Sequence, residues 1–355
     1  MTIEARRATV RRALGAGLLT AVLALTGLVY RADTVFSVPD PAGSSYAPAF
    51  RDERQGPGAM LNAHDGQAFG SLALDPLLAH PDRWSGGRSE MAYRAARPLL
   101  GWAVMLTSFG SRATAEWSLL AWTAIGIGLM AGAAVMLAAH WGREGDWVPL
   151  VLLLPGVLIQ LEFGGLSDSL ATALALFGLV WWLERRDQWA VVALCLAALT
   201  KESTLLVPLA LLLASDRKRA RSLVAPFAVY GAWIGVVWLR LGVLPMKGHG
   251  GATGVPPGNV IEALASWGVP EVVAAVTILL LMAVAWRRAP SPEVRWLVGL
   301  SVLMALTLGP AVLRSWDFAR PLLPVTMVGA CLLGRSIERS GDATPWVADD
   351  VVAVR

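Results

Sequence analysis

An all-α, polytopic transmembrane helix bundle of about 8–10 membrane helices, with an outer-surface loop carrying juxtamembrane helices, is predicted by three observations. Of the 355 residues, 55% are hydrophobic and 16% charged, a balance that departs from ordinary globular domains. Apolar runs long enough to cross hydrocarbon recur along nearly the whole chain. The basic residues gather in short loops between those runs.

Taken in order, Arg6, Arg7, Arg11 and Arg12 precede the first apolar run, Ala13–Tyr30. This resembles a signal peptide, but no small-x-small cleavage site follows Tyr30 and more spans come after, which predicts an uncleaved first helix. Residues 31–113 then form the longest polar segment, the first extracytoplasmic loop. Ser37–Gly58 is rich in Pro, Gly and Ser and reads as loop. Asp65–Ala79 suits a short amphipathic helix with Phe69, Leu72 and Ala73 on one side. Pro98–Phe109 is apolar but short for a span, so it is placed as a helix on the outer surface with Pro98 in its first turn.

Further spans are expected at Thr114–Ala139, Val148–Phe163, Leu166–Leu183, Leu223–Val243, Val269–Trp286, Trp296–Leu313 and Ala319–Arg335. Tryptophans near their ends, such as Trp147, Trp181, Trp182 and Trp286, fit an interfacial belt. One apolar stretch, Ala190–Ala214, lies between Arg185-Arg186 and the cluster Arg217, Lys218, Arg219 and Arg221. A single crossing would put one of these basic loops outside. A hairpin of two short helices, Trp189–Leu199 and Thr204–Ala214, turning at Lys201-Glu202, keeps both on the cytoplasmic side. The rival topology makes Pro98–Phe109 a true span and strands Arg185-Arg186 outside. With the hairpin, residues 1–336 form one membrane domain, residues 337–355 a cytoplasmic tail, and both termini face the cytoplasm of a bacterial-type inner membrane.

The net charge of +4 does not signal nucleic acid, because the basic residues form no single patch. Cys195 and Cys331 lie in apolar segments, too few for a disulfide framework. No internal repeat of the kind expected in an inverted-repeat transporter is visible. Gly248-His249-Gly250-Gly251 follows no strand and reads as a flexible outer loop.

The polar residues at outward turns are the candidates for chemistry. Asp65-Gly66-Gln67-x-Phe69-x-x-Leu72-Ala73-x-Asp75-Pro76, followed by Tyr93-Arg94-x-x-Arg97-Pro98-Leu99-Leu100, resembles the first outer loop of bacterial GT-C-fold glycosyltransferases. Leu199-Thr200-Lys201-Glu202-Ser203 is similar to a turn of such proteins, and Trp316-Asp317-Phe318-x-Arg320-Pro321-Leu322-Leu323-Pro324 resembles their last outer turn. The resemblance implies an enzyme that transfers a sugar from a polyprenyl-phosphate donor to an extracytoplasmic glycan, lipid or protein acceptor. It implies that Asp65 is the catalytic base or a metal-positioning carboxylate. A positioned carboxylate can take the acceptor's proton, and cations must stabilise a leaving phosphate. Arg94, Arg97, Lys201 and Arg320 are the candidate phosphate ligands, supported by Gln67, Glu162, Asp168, Glu202 and Asp317. A divalent cation, Mg or Mn, held by His64 and Asp65, is the cofactor to test.

Each residue has a plainer alternative. Asp65 could instead serve as a helix N-cap, and Arg94 and Arg97 as ligands of anionic headgroups. Arg320 would mark only the outer end of the last span. Glu162 and Asp168 flank Gly164-Gly165 and either add a carboxylate to the site or cap a tight turn. Lys201 is the hardest to explain structurally, since ionisable groups inside apolar segments are rare. Two other function classes fit the same residues: a transporter or flippase of lipid-linked glycans, and a non-catalytic subunit of an envelope-assembly complex.

Overall fold

The computed structural model describes residues 3–34, 56–62, 65–81, 88–143, 145, 148–245, 258–313 and 316–334. Most of the Ser37–Gly58 segment, His64, Trp147, the 248–251 glycine segment with His249, and the carboxyl tail lie outside these residues. The chain runs from α1 (Ile3–Thr34) through four short helices, α2 (Gly56–Asn62), α3 (Gly66–Leu74), α4 (Arg88–Ala95) and α5 (Pro98–Ser108), to the long α6 (Arg112–His140). A 3-10 turn at Val148–Leu153 leads into α7 (Pro155–Phe163), followed by α8 (Asp168–Leu183) and α9 (Asp187–Thr200). After the 3-10 turn Glu202–Leu205 come α10 (Leu206–Ala214), α11 (Arg217–Ala220) and α12 (Ala225–Leu241). Then follow α13 (Gly258–Leu264), α14 (Val269–Arg287), α15 (Pro292–Thr307), α16 (Pro310–Leu313) and α17 (Leu323–Cys331). The fold is an all-α bundle, with no β-strand among the described residues.

Among the described residues, four stretches are long and apolar enough to cross a membrane: Glu4–Thr34, Arg112–His140, Arg217–Leu241 and Val269–Arg287. Leu14, Leu18 and Val22 of α1 and Val276, Leu279 and Leu280 of α14 stand exposed. Such an apolar outer face suits hydrocarbon as its solvent and makes this a membrane protein. Inside, the helices meet through small residues. A Cβ on Gly128 of α6 would fall 2.5 Å from the Gly17 carbonyl oxygen of α1, so these two long helices touch backbone to backbone.

Three expected spans are interrupted. Val148–Phe163 breaks at Leu154-Pro155, because proline lacks the N–H of a helix interior and suits a helix start. Trp296–Leu313 is α15, which begins at Pro292 and stops at Thr307, short of Gly309-Pro310. Ala319–Arg335 contains only α17, since a 3-10 turn over Trp316–Ala319 and the Arg320-Pro321 bend precede it. The Asp65–Ala79 segment also differs from expectation: α3 is buried at every residue from Gly66 to Ala73, enclosed by α4, α5 and α6 rather than lying amphipathic on a surface. By contrast, α5 begins at Pro98 and ends where Phe109 turns left-handed, close to its expected bounds. Trp182 belongs to no interfacial belt, since it is fully buried under the Arg219 guanidinium, 3.7 Å from the ring centre.

Contacts between turns divide the bundle into two ends. At one, Arg6 of α1 pairs with Glu184 after α8 at 2.9 Å, and Arg219 of α11 grips Asp187, the first residue of α9, at 3.0 Å. Arg143 after α6 donates to the Gly334 carbonyl, and Arg288 after α14 to that of Leu332. The basic loops therefore share one end. The Asp187–Arg219 pair brings the loops on either side of Ala190–Ala214 together, so the chain goes up through α9 and returns through α10, as the hairpin requires. The limbs splay, with α9 packed chiefly on α8 and α12 and α10 on α15.

Candidate functional site

At the opposite end, the turn before α3 presents Asp65. It occupies the N-cap position, yet its side chain makes no cap bond. Its carboxylate instead meets two guanidinium groups: Oδ1 receives Arg94 Nη1 from α4, and Oδ2 receives Arg320 Nη2 at 3.0 Å. The placement has a local cause. Gly164 and Gly165 are both left-handed, with φ of 61° and 57°, and a Cβ on Gly165 would lie 2.8 Å from the Gly66 Cα. Only glycine lets the turn before α8 nest against the turn before α3. That contact draws Asp168, the first residue of α8, toward Asp65.

Arg320 joins the two carboxylates. Its Nε donates to Asp168 Oδ2 at 3.0 Å while Nη2 reaches Asp65. Lys201, the C-cap of α9 at the hairpin tip, donates its ammonium to Asp168 Oδ1. Arg94, Asp65, Arg320, Asp168 and Lys201 thus form one alternating chain of charges contributed by α4, α3, the α17 approach, α8 and α9. The Asp168 side chain is fully buried, those of Asp65, Lys201 and Arg320 are under a tenth exposed, and that of Arg94 is 16% exposed. Asp168 also benefits from the start of a helix, where backbone N–H groups favour negative charge. Asp317, 3.7 Å from Arg320 and about a third exposed, marks the rim. Beside it Phe318 stacks on Trp267 at 5.3 Å, an apolar cover neither residue's sequence context announces.

A second pair lies alongside. Arg97 Nε and Nη2 grip Glu202 at 2.6 and 2.5 Å, and Nη2 also donates to the Tyr93 hydroxyl at 2.7 Å. Burial opposes the charge on Arg97, but the facing Glu202 carboxylate outweighs it and holds the guanidinium well above its ordinary range. The α4–α5 elbow bearing Tyr93, Arg94 and Arg97 is pinned from below: the buried Trp233 indole of α12 donates to the Ala95 carbonyl at 2.8 Å.

Residues up to 255 positions apart in sequence therefore converge, within a spacing of about a side chain's reach. Asp65, Arg94, Lys201, Arg320 and Asp168 form the buried chain, Arg97 and Glu202 the adjacent pair, and Asp317 the rim. Glu162 does not join them. Its carboxylate receives Arg31 of α1 at 3.2 Å, a partnership outside the cluster that the position of Arg31 just past the first apolar run hints at. Gln67 is buried on α3, and its Oε1 has no hydrogen-bond partner among the described residues. Tyr93, read only as part of a motif, proves to be the partner that orients Arg97.

A divalent cation does not fit this arrangement. Both oxygens of Asp65 and both of Asp168 face cationic side chains, and no group of three or more His, Cys, Asp or Glu residues suited to a metal occurs among the described residues. Chemically, the cluster offers two things: carboxylates positioned to accept a proton and buried cations able to bind an oxyanion. No protein-family model matches the chain, and neither a curated protein nor a solved structure matches it, so the resemblance to GT-C-fold glycosyltransferases stands on its own residues alone.

Proposed function

We propose that this chain is an integral-membrane glycosyltransferase that moves a sugar from a polyprenyl-phosphate donor to an acceptor outside the cytoplasmic membrane. The acceptor hydroxyl attacks the anomeric carbon, Asp65 takes its proton, and the bond to phosphate breaks with inversion. Arg94, Arg320 and Lys201 hold the departing phosphate, which leaves with the bonding electron pair. The basic end faces the cytoplasm by the positive-inside rule, which puts the charge cluster on the outer side.

One observation carries the reading: three buried or nearly buried cations alternate with two carboxylates at the end opposite the basic loops. Burying charge without a task is costly even when it is paired, and a transferase acting on phosphate uses both signs. The test is to incubate the purified full chain with a panel of polyprenyl-phosphate sugars and measure release of polyprenyl phosphate. Release from one donor, dependent on acceptor, is expected. A folded protein that releases none from any donor in the panel would sink the proposal.

A further inference from the structure

The grip on Asp65 has a consequence for how the site fills. Two guanidinium groups from separate elements, Arg94 of α4 and Arg320 before α17, each take one oxygen of a single carboxylate. This is how two arginines hold a phosphoryl group, with Asp65 in the place of the ligand. Arg320 is anchored independently through its Nε on the fully buried Asp168. Arg94 is the more accessible of the two, its side chain 16% exposed against 9% for Arg320.

Resting on the phosphate-binding reading of this site, we infer that Asp65 is an internal competitor, occupying the anion position until a phosphoryl ligand displaces it. Arrival of the ligand moves the Asp65-facing nitrogens of Arg94 and Arg320 from carboxylate to phosphate. The same exchange frees the Asp65 oxygens to accept a proton, so the base is armed only when donor is present. Charge balances through the step. A donor phosphodiester with one negative charge and ionised Asp65 become neutral Asp65 and a phosphomonoester carrying up to about two. When the Asp65 proton is lost to water, the carboxylate returns to the two guanidinium groups and displaces the product.

The inference gives an outcome opposite to that of a carboxylate that merely assists binding. Asp65→Asn removes the competing charge and leaves two cations seeking an anion, so it binds a short-chain polyprenyl monophosphate more tightly than the parent does. At least a tenfold lower Kd is expected by titration in detergent, together with a lower Tm without ligand and a larger ligand-induced rise in Tm. Asp65→Glu keeps the competitor and stays near the parental Kd. Inorganic phosphate, run in parallel, separates a lipid-phosphate site from a bare oxyanion site by its weaker or equal gain. In the unmodified protein carrying isotope-labelled aspartate, infrared difference spectra should show a carboxylate band shifting as ligand is added, which keeps the test available should Asp65→Asn not fold. Equal or weaker binding by folded Asp65→Asn, or no carboxylate shift in the parent on ligand binding, would overturn the inference while leaving phosphate binding itself in place. If neither parent nor Asp65→Asn binds either probe, the transferase reading falls with it.

Discussion

Arg320 shows why a single residue can govern this site. Its guanidinium bridges two carboxylates that the chain places 103 positions apart, using Nε for Asp168 and Nη2 for Asp65. Lysine could satisfy one of them at a time but not the planar fork of both. Lys201 does a narrower task, because Asp168 keeps Arg320 when the ammonium is gone. Lys201→Met should therefore fold, and donor affinity should fall by about ten- to a hundred-fold, the value of one charge-assisted bond. Acceptor affinity should be unchanged; a normal donor Kd in a well-folded Lys201→Met would make that lysine structural. Asp65→Asn should lower transfer by about 10²–10⁴-fold, the usual loss of a general base, while the protein still inserts into membrane. Turnover within a factor of a few of the parent would remove Asp65 from the chemistry.

At the scale of elements, the α1–α6 crossing is the most constrained contact. Gly128→Val would drive new methyls into the Gly17 carbonyl and the Ala21 side chain, costing about 1–3 kcal/mol as overpacking does. A lowered Tm in detergent, relative to Gly15→Val where a Cβ meets nothing, is the check. The hairpin makes its own prediction. With Cys195 and Cys331 replaced, cysteine at Ser203 should react with an impermeant thiol reagent from outside, and cysteine at Ser222 only after permeabilisation. Ser203 labelled solely from the cytoplasmic side would reverse the orientation. The hairpin itself was legible because charge at Arg185-Arg186 and Arg217–Arg221 obeys a long-range rule that needs no contact to be seen. The breaks at Pro155 and Pro310 were also written in the chain, but apolar run length hides them, since hydropathy counts side chains and ignores missing backbone donors. The burial of α3 was not legible: an apolar face toward the core and a full jacket of neighbours look alike in nine residues of sequence.

Across the whole molecule, the two-ended sorting of turns explains why most of the candidate cluster could be picked out in advance. Turns at one end of a bundle converge on one surface, so Asp65, Lys201 and Arg320 become neighbours wherever they stand in the chain. Glu162 sits at the same end and escaped the cluster because pairing depends on lateral position, which α1 decides through Arg31. That lateral order is set by helix packing, through contacts such as Gly126 against Leu170 and Gly329 against Leu281, and no turn motif records it. The clasp at the basic end has a further consequence, in the order of synthesis. Asp187 and Arg219 are 32 residues apart, and Arg219 also caps the Trp182 carbonyl and covers its ring. At about 5–20 residues per second, the first limb of the hairpin waits roughly 2–6 s for the arginine that fastens it. During that interval α9 is held at its basic end by α8 alone, through contacts such as Trp181 with Trp189 and Gly178 with Leu194, so the ribosome's pace between codons 187 and 219 sets how long the hairpin stays unfastened.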